Sequence, residues 1–256
     1  MTPSDLTVIL CTFNMGTGSR KDGGAFLPTC IESFFATRSD AGTGIIAVDD
    51  GSDDDTPKIL ARYPIDLHIR LSENGGLRDA FSMAVHYVKT RYFLRVDGDI
   101  VFTTPGWDAR LVQHMERHPE CGVCGATQIA RAGRVHSAGD RLWPKYEHIR
   151  ERIAGEFRVC DSVMGCFSCF RMAAWDKVGG LTAPKWLRSE TEDMNLRISK
   201  AGYQVHCLPF EFEHHHWEAR KKGGRYNDKE CQRLDIQAYM AECHGVDFYG
   251  LSIVNG

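Results

Sequence analysis

The sequence lacks the features that mark membrane-spanning, secreted and strongly charged proteins. No apolar run in its 256 residues approaches the ~20 residues that a membrane-spanning helix needs. The first residues carry neither the basic nor the apolar segment of a signal peptide. The formal net charge is only −3, from 31 Lys and Arg against 34 Asp and Glu, so no overall charge draws the chain to nucleic acid. We therefore expect a cytoplasmic globular protein.

Boundaries between domains are missing as well. No internal repeat, low-complexity segment or extended linker interrupts the chain, and its length fits one large domain. Hydrophobic residues make up 43% and charged residues 25% of the sequence, which are ordinary values for a globular protein. We predict a single domain over residues 1–256.

Ten cysteines are present, and without a signal peptide we interpret them as reduced thiols. Two pairs have the spacing of zinc ligands, Cys121 with Cys124 and Cys166 with Cys169. Each pair lies in an apolar stretch typical of a buried strand, where residues three apart point to opposite faces. We therefore predict buried thiols, and a stoichiometric zinc content would overturn that interpretation.

The first half of the chain alternates between strand and helix patterns, which predicts parallel βαβ units. Short β-branched or apolar runs predict strands at residues 6–11, 44–48, 65–71 and 92–96. Apolar residues at helical spacing predict helices at 26–36, 56–63, 77–89 and 107–118. The second half is less regular, with a strand expected at 164–170, helices at 172–178 and 192–201, and a helical tail over 228–243. Residues 131–158 have no clear period.

Paired carboxylates follow two of the predicted strands. Asp49 and Asp50 end the second strand, and Asp97 and Asp99 follow the fourth. Parallel sheets of this kind bind ligands at the carboxyl ends of their strands. Oxygen ligands suit Mg²⁺ or Mn²⁺, so these residues are candidates for holding a divalent cation beside a phosphate.

Five segments, in order, resemble motifs of the family 2 glycosyltransferases. They are residues 8–14 (VILCTFN), 46–56 (IAVDDGSDDDT), 73–78 (ENGGLR), 93–99 (FLRVDGD) and 191–197 (TEDMNLR). The resemblance implies an α/β, Rossmann-like A-type glycosyltransferase fold, with a mostly parallel central sheet flanked by helices. It implies a nucleotide-binding half over 1–105 and an acceptor and catalytic half over 106–217, with 218–256 as a C-terminal helical tail.

The resemblance also implies a donor site for a UDP-sugar. The end of the first strand would hold the uracil through Cys11, Thr12 and Phe13, with the Phe13 ring available for stacking. Asp50 matches the carboxylate that accepts the uracil N–H. Arg78 matches an arginine that approaches the nucleotide.

The family metal would be Mn²⁺ or Mg²⁺. In the resemblance Asp97 lies near the ribose, whereas Asp99 contacts the metal that bridges the two phosphates. Many relatives place a histidine ligand near residues 214–216. If that segment is extended, His214 and His216 share one face, and His214 fits the family spacing best.

Asp193 matches the carboxylate that deprotonates the acceptor hydroxyl, which implies inversion at the anomeric carbon. Glu192 and Trp186 are expected to face the acceptor, and Glu190 is a less favoured base. The family pattern before the Glu-Asp pair is not reproduced at residues 181–190, which leaves the acceptor open.

Several acceptors fit the sequence. Residues 131–158 and 214–233 carry more Lys and Arg than Asp and Glu, a bias that suits an acidic partner. We expect a glycan or a lipid-linked glycan, which leaves room for peripheral membrane contact, with hydroxymethylated pyrimidine bases in DNA as the alternative. A sugar nucleotidyltransferase and an inactive binding module are the rival functions.

Overall fold

The computed structural model describes residues 5–16, 26–39, 42–130, 133–143, 145–183, 189–215 and 233–245. The strands are β1 (Leu6–Thr12), β2 (Gly44–Asp49), β3 (Leu67–Arg70), β4 (Tyr92–Asp97), β5 (Ile100–Phe102), β6 (Cys121–Ile129), β7 (Val135–Ser137), β8 (Asp140–Arg141), β9 (Glu147–His148), β10 (Arg158–Cys160), β11 (Phe167–Arg171) and β12 (Gln204–His214). The helices are α1 (Phe26–Thr37), α2 (Thr56–Leu60), α3 (Leu77–Val85), α4 (Trp107–Arg117), α5 (Met172–Lys177), α6 (Glu190–Lys200) and α7 (Arg233–His244).

A ten-stranded sheet runs through both halves of the chain, in the order β10-β12-β6-β11-β4-β1-β2-β3, with β5 and β7 attached at its side. Strands β4, β1, β2 and β3 are parallel neighbours. Beyond them β11 is antiparallel to both β4 and β6, while β6 and β12 are again parallel. The predicted α/β fold class is confirmed, and the parallel part of the sheet is the part formed by the alternating first half.

Helices cover both faces of the sheet because its central strands are apolar on both sides. In β1, Val8 and Leu10 pack in one core cluster with α1 and α4, whereas Ile9 and Cys11 pack in the other with α3 and α5. Helix α1 buries residues at helical spacing, Leu27, Cys30, Ile31 and Phe34. Such a stripe on one face is what attaches a surface helix to a core.

Neither cysteine pair has the predicted orientation. Cys166 and Cys169 pack in one core cluster, with Cys166 just before β11 begins, and a bulge near the start of β6 changes the orientation of the other pair. The pairing with β12 passes from Cys121 to Val123, so Gly122 has no partner across the ladder. The extra residue changes the alternation, and Cys121 and Cys124 pack in the same core cluster rather than on opposite faces. A Cβ atom on Gly122 would lie 2.6 Å from Ile198 Cγ2 and 2.8 Å from Tyr203 Cβ, so close packing requires glycine there.

Other differences are confined to short elements. Residues 204–214 form the single strand β12, with an irregularity between Leu208 and Glu211 where Pro209 interrupts the ladder. The aperiodic stretch 131–158 contains β7, β8, β9 and the start of β10. Strand β5 is only three residues long, too short to leave an apolar pattern.

Candidate active site

Three metal-ligating side chains meet at the carboxyl end of β4. Asp97 ends β4, Asp99 lies in the turn before β5, and His214 ends β12, which pairs with β5. One ligand atom from each lies within 4.8 Å of the others, and His214 Nε2 is 3.2 Å from Asp99 Oδ1. We call Asp97, Asp99 and His214 the front cluster. Sequence reasoning identified all three residues, and the sheet topology brings them together.

The chemistry of the front cluster fits a divalent cation. Burial opposes protonation of His214, but Cys166 and Asp99 raise its pKa well above the ordinary value. A cation between His214 and Asp99 would satisfy the same carboxylate that favours the protonated imidazole. Gln128 Nε2 lies 3.4 Å from His214 Nδ1, and Gln128 Oε1 is buried with no hydrogen-bond partner among the described residues. With its amide turned over, Gln128 would accept from Nδ1–H and orient Nε2 as a ligand.

Arg95 organises this edge of the sheet, and sequence reasoning missed it. Its side chain is almost fully buried within the apolar strand β4. One guanidinium nitrogen donates to Asp97 Oδ1 at 3.3 Å, and the other donates to Thr191 Oγ1 at 2.8 Å and Glu190 Oε1 at 3.3 Å. Arg95 therefore ties Asp97 to the first turn of α6. A single charged residue inside an apolar strand was the available signal.

The carboxylate of Asp193 is buried and accepts three hydrogen bonds. Arg197 Nε donates to its Oδ2 at 3.0 Å, while Tyr239 Oη and His244 Nε2 both donate to its Oδ1 at 2.9 Å. Burial raises the pKa of Asp193, but the His244 hydrogen bond, the Arg197 charge and the Tyr239 hydrogen bond outweigh it and hold the pKa below its ordinary value. These contacts attach α7 to α6.

Glu192, the next residue in the same helical turn, has the opposite environment. Burial raises its pKa to about 8, and the negative charges of Glu190 and Asp140 add to that effect against a backbone hydrogen bond and the charge of Arg95, which lower it. A carboxylate with a pKa near the working pH is well matched to accepting a proton. Two adjacent carboxylates on one helix thus differ in proton affinity because their surroundings differ.

The predicted donor residues lie at the same edge of the sheet. Cys11 pairs with Asp97 across the β1–β4 ladder, and burial raises the pKa of its thiol to about 12. Thr12 is buried and donates to the Val48 carbonyl at 3.1 Å. The Phe13 side chain is 43% exposed, which leaves its ring available to a ligand.

Asp50 and Arg78 hold the segment that follows β3. The carboxylate of Asp50 accepts hydrogen bonds from the backbone N–H groups of Gly75 and Gly76, at 2.7 and 2.9 Å. Arg78 donates to Asp79 Oδ1 at 2.9 Å and to the Ala183 carbonyl at 3.1 Å. Arg78 therefore reaches from α3 to the segment that precedes α6. Trp186 and His216, the remaining predicted site residues, lie outside the described residues.

A polar group within the aperiodic stretch was also missed. Asp140 is fully buried and accepts from Ser137 Oγ at 2.8 Å and from His148 Nδ1 at 2.8 Å. Tyr146 Oη lies 3.2 Å from the same His148 nitrogen, and the charge of Glu192 contributes to a raised pKa of Tyr146, behind burial and Asp140. These residues place a polar wall beside Glu192.

A comparison with protein families identifies the chain. The profile of the family described as Glycosyl transferase family 2 matches residues 7–177, more than half of the sequence. The chain belongs to this family. The match includes β4, all of β1 except Leu6, and the aspartates of the front cluster.

Solved structures of low sequence identity share the fold of this chain. The structure described as GalNAc-T7 with UDP, GalNAc and Mn²⁺ is 15% identical with a TM-score of 0.65, over 82% of this chain and 42% of that one. The mannosyltransferase PcManGT from Pyrobaculum calidifontis, in complex with GDP-Man and Mn²⁺, is 17% identical with a TM-score of 0.62, over 85% and 60%. TarS 1–349 of S. aureus in complex with UDP-GlcNAc is 16% identical with a TM-score of 0.60, over 81% and 57%.

The curated relatives match a smaller part of the chain. Uncharacterized protein Rv1520 of Mycobacterium tuberculosis is 30% identical over 104 residues, which span 39% of this chain and 30% of that protein. The uncharacterized protein Mb1547 of Mycobacterium bovis matches to the same extent. Across the described residues, no helix has the length and apolarity to cross a membrane.

Proposed function

We propose that this glycosyltransferase moves a hexose or an N-acetylhexosamine from a UDP-sugar to an acceptor hydroxyl, with inversion at the anomeric carbon. The observation that carries the proposal is the front cluster, which lies at the carboxyl end of β4 beside the exposed Phe13 ring. A cation ligand set next to a surface for a base is the arrangement that a nucleotide diphosphate requires.

The donor proposal rests on Asp50 and Phe13. Asp50 accepts hydrogen bonds from the backbone N–H groups of Gly75 and Gly76, which hold its carboxylate at the end of β2, and a carboxylate is the kind of acceptor that the imide N–H of uracil would need. Two of the fold relatives hold UDP or a UDP-sugar, and a third holds GDP-Man, so a guanine nucleotide is the donor to test against UDP.

Asp99 and His214 are proposed to hold Mn²⁺ or Mg²⁺, with Asp97 held toward the ribose by Arg95. When bound, the cation would supply Lewis-acid stabilisation of the charge that develops on the UDP leaving group. The protein itself fixes the two aspartates: Arg95 orients Asp97, and the pairing of β5 with β12 sets Asp99 beside His214.

The proton acceptor is proposed to be one of the two adjacent carboxylates at the start of α6. Family resemblance favours Asp193, but three hydrogen-bond donors and a lowered pKa make it a weak base. Glu192 is the better supported candidate, because its raised pKa gives it the proton affinity that general base catalysis uses. In this assignment Asp193 anchors α7 to α6 and thereby positions Glu192.

A glycan or lipid-linked glycan is the proposed acceptor. Trp143 is 63% exposed beside the polar wall, and an indole face is suited to packing on a sugar ring. Arginines of residues 131–158 are partly neutralised, since Arg141 pairs with Glu147 and Arg152 pairs with Glu211. That pairing leaves less charge for DNA phosphates and favours the glycan over modified DNA.

The test is release of UDP or GDP from a panel of nucleotide-sugars without acceptor, measured with Mn²⁺, with Mg²⁺ and with EDTA. We expect slow hydrolysis of one UDP-sugar that EDTA abolishes. Hydrolysis of a GDP-sugar alone would show that the donor is a GDP-sugar rather than a UDP-sugar. Failure to bind or hydrolyse any nucleotide-sugar in the presence of metal would contradict the proposal.

A further inference from the structure

A second group of metal-ligating side chains lies in the core on another part of the sheet. His114 is in the last turn of α4, Cys121 begins β6, and His206 lies near the start of β12. One ligand atom from each lies within 4.8 Å of the others, and none of the three side chains is more than 5% exposed. We call His114, Cys121 and His206 the rear cluster.

The rear cluster is separate from the front cluster by topology. Phe170 of β11 pairs both with Phe93 of β4 and with Val123 of β6, so the first residues of β6 lie level with the first residues of β4. Asp97 lies at the other end of β4. The rear cluster therefore lies at the amino-terminal end of β4 and the front cluster at its carboxyl end. The rear cluster takes no part in the proposed transfer reaction.

We propose that the rear cluster is a binding site for Zn²⁺ or a similar borderline-soft divalent cation. Two imidazoles and a thiol are the donors that zinc selects, whereas Mg²⁺ requires oxygen ligands. Burial away from solvent is typical of a structural rather than a catalytic site.

Hydrogen bonds set the ring nitrogens for this role. His206 Nε2 donates to Gln204 Oε1 at 2.8 Å, so its proton is on Nε2 and the Nδ1 lone pair faces the cluster. A carbonyl oxygen on the outer nitrogen is the usual support for a metal-bound histidine. His114 Nε2 lies 2.9 Å from His206 Nδ1, and tetrahedral zinc between two nitrogens needs about 3.3 Å, an opening of a few tenths of an ångström.

Binding releases one proton for each cation. The thiol of Cys121 loses its proton to solvent as the Zn–S bond forms, and His114 moves its proton from Nε2 to Nδ1 with no net change. The thiolate offsets one of the two positive charges of the cation. No oxidant, reductant or further reactant is needed.

The surroundings supply a dry shell and a fourth ligand. Phe157 stacks on His206 with ring centroids 4.2 Å apart and meets His114 edge-on at 5.1 Å. The Gly122 bulge turns Cys124 to the same side as Cys121, whose Sγ donates to the Val123 carbonyl at 3.2 Å. Cys124 and His118 lie outside the group of ligand atoms within 4.8 Å of one another, so either must move to become the fourth ligand; Cys124 is the proposed one, and His118, whose ring centroid is 4.5 Å from that of His114, is the alternative.

The test is metal content and cobalt spectroscopy on the whole chain. After incubation with Zn²⁺ and removal of excess, we expect one tightly held zinc in the wild type and in Asp99→Ala, which changes only the front cluster. Cys121→Ser should weaken zinc binding by at least about 100-fold, more than the loss of an outer-shell partner causes. Cys30→Ser, which changes a buried thiol of the same core cluster on α1, is the matched control and should retain zinc.

Co²⁺ keeps the proposal testable if Cys121→Ser does not fold. The wild type with Co²⁺ should show a thiolate-to-cobalt charge-transfer band and the visible bands of a tetrahedral centre. Cys124→Ser should weaken those bands if Cys124 is the fourth ligand, and His118→Gln should do so if His118 is. Wild-type protein that takes up no Zn²⁺, or Co²⁺ without a thiolate band, would overturn the proposal and leave a buried hydrogen-bonded histidine pair.

Discussion

The two metal-ligating clusters lie at opposite ends of the strands of one sheet, and they differ in donor type and in exposure. The front cluster offers two carboxylates and one imidazole, and the Asp97 side chain is 33% exposed. The rear cluster offers two imidazoles and one thiol, with none more than 5% exposed. Hard, accessible donors suit a cation that must meet a phosphate, whereas soft, enclosed donors suit a cation that stays in the fold. Donor type and exposure together separate exchangeable from permanent sites.

The largest effect expected is on the front cluster. Asp99→Ala should lower metal-dependent nucleotide-sugar hydrolysis by about 1,000-fold or more, since Lewis-acid stabilisation contributes several kcal/mol and each 1.36 kcal/mol is tenfold in rate. Hydrolysis assays with Mn²⁺ titration measure the loss. Zinc content should not change. A simultaneous loss of zinc would show that the front and rear clusters are not independent.

The next effect concerns the paired carboxylates of α6. Glu192→Gln should lower transfer at least about 100-fold while UDP affinity stays unchanged, because a positioned base contributes about that much. The wild-type kcat/KM should rise with pH as Glu192 loses its proton, up to an apparent pKa at or below about 8, since a bound cation favours the ionised form. The variant should lack that rise.

Asp193→Asn is the matched control for the base assignment. The substitution removes the negative charge to which Arg197, Tyr239 and His244 donate hydrogen bonds. We therefore expect a lower melting temperature, while the pH dependence of kcat/KM is retained. If Asp193→Asn abolishes transfer in a stable protein while Glu192→Gln remains active, the base is Asp193.

The smallest effect expected is on stability at the bulge. Gly122→Ala should lower the free energy of unfolding by about 1–3 kcal/mol through overpacking against Ile198 and Tyr203, or roughly 2–10 °C in Tm. Gly155→Ala, where the nearest atom to an added Cβ is 3.9 Å away, should have little effect. Thermal melts measure both. Equal melting temperatures would show that the bulge tolerates a side chain.

Sequence alone could predict the front edge because its residues follow strands of the parallel half. The end of β4 is fixed by an apolar run and a sharp polar boundary, and parallel strands place such ends together. The bond between Arg95 and Thr191 joins residues 96 positions apart, and local patterns say nothing about such a contact. The family resemblance, rather than periodicity, linked residues 191–197 to this edge.

The rear edge could not be predicted for a different reason. The spacing of Cys121 and Cys124 is visible in the sequence, but strict alternation places them on opposite faces. The unpaired residue Gly122 reverses that conclusion. Close packing against Ile198 of α6 and Tyr203, just before β12, explains why this position is a glycine. His206 then completes the rear cluster from 85 positions away, through the parallel pairing of β6 and β12.

Strand β12 supplies a histidine to each cluster, His206 near its start and His214 at its end. A shift of this strand by one residue would remove both imidazoles from their partners at once. Whatever binds at either end therefore selects the same alignment, and by linkage it stabilises the native register against all others. The two histidines are roughly 25 Å apart along the strand, at about 3.3 Å per residue. Zinc binding at the rear cluster therefore reports whether β12 has the register that the front cluster needs.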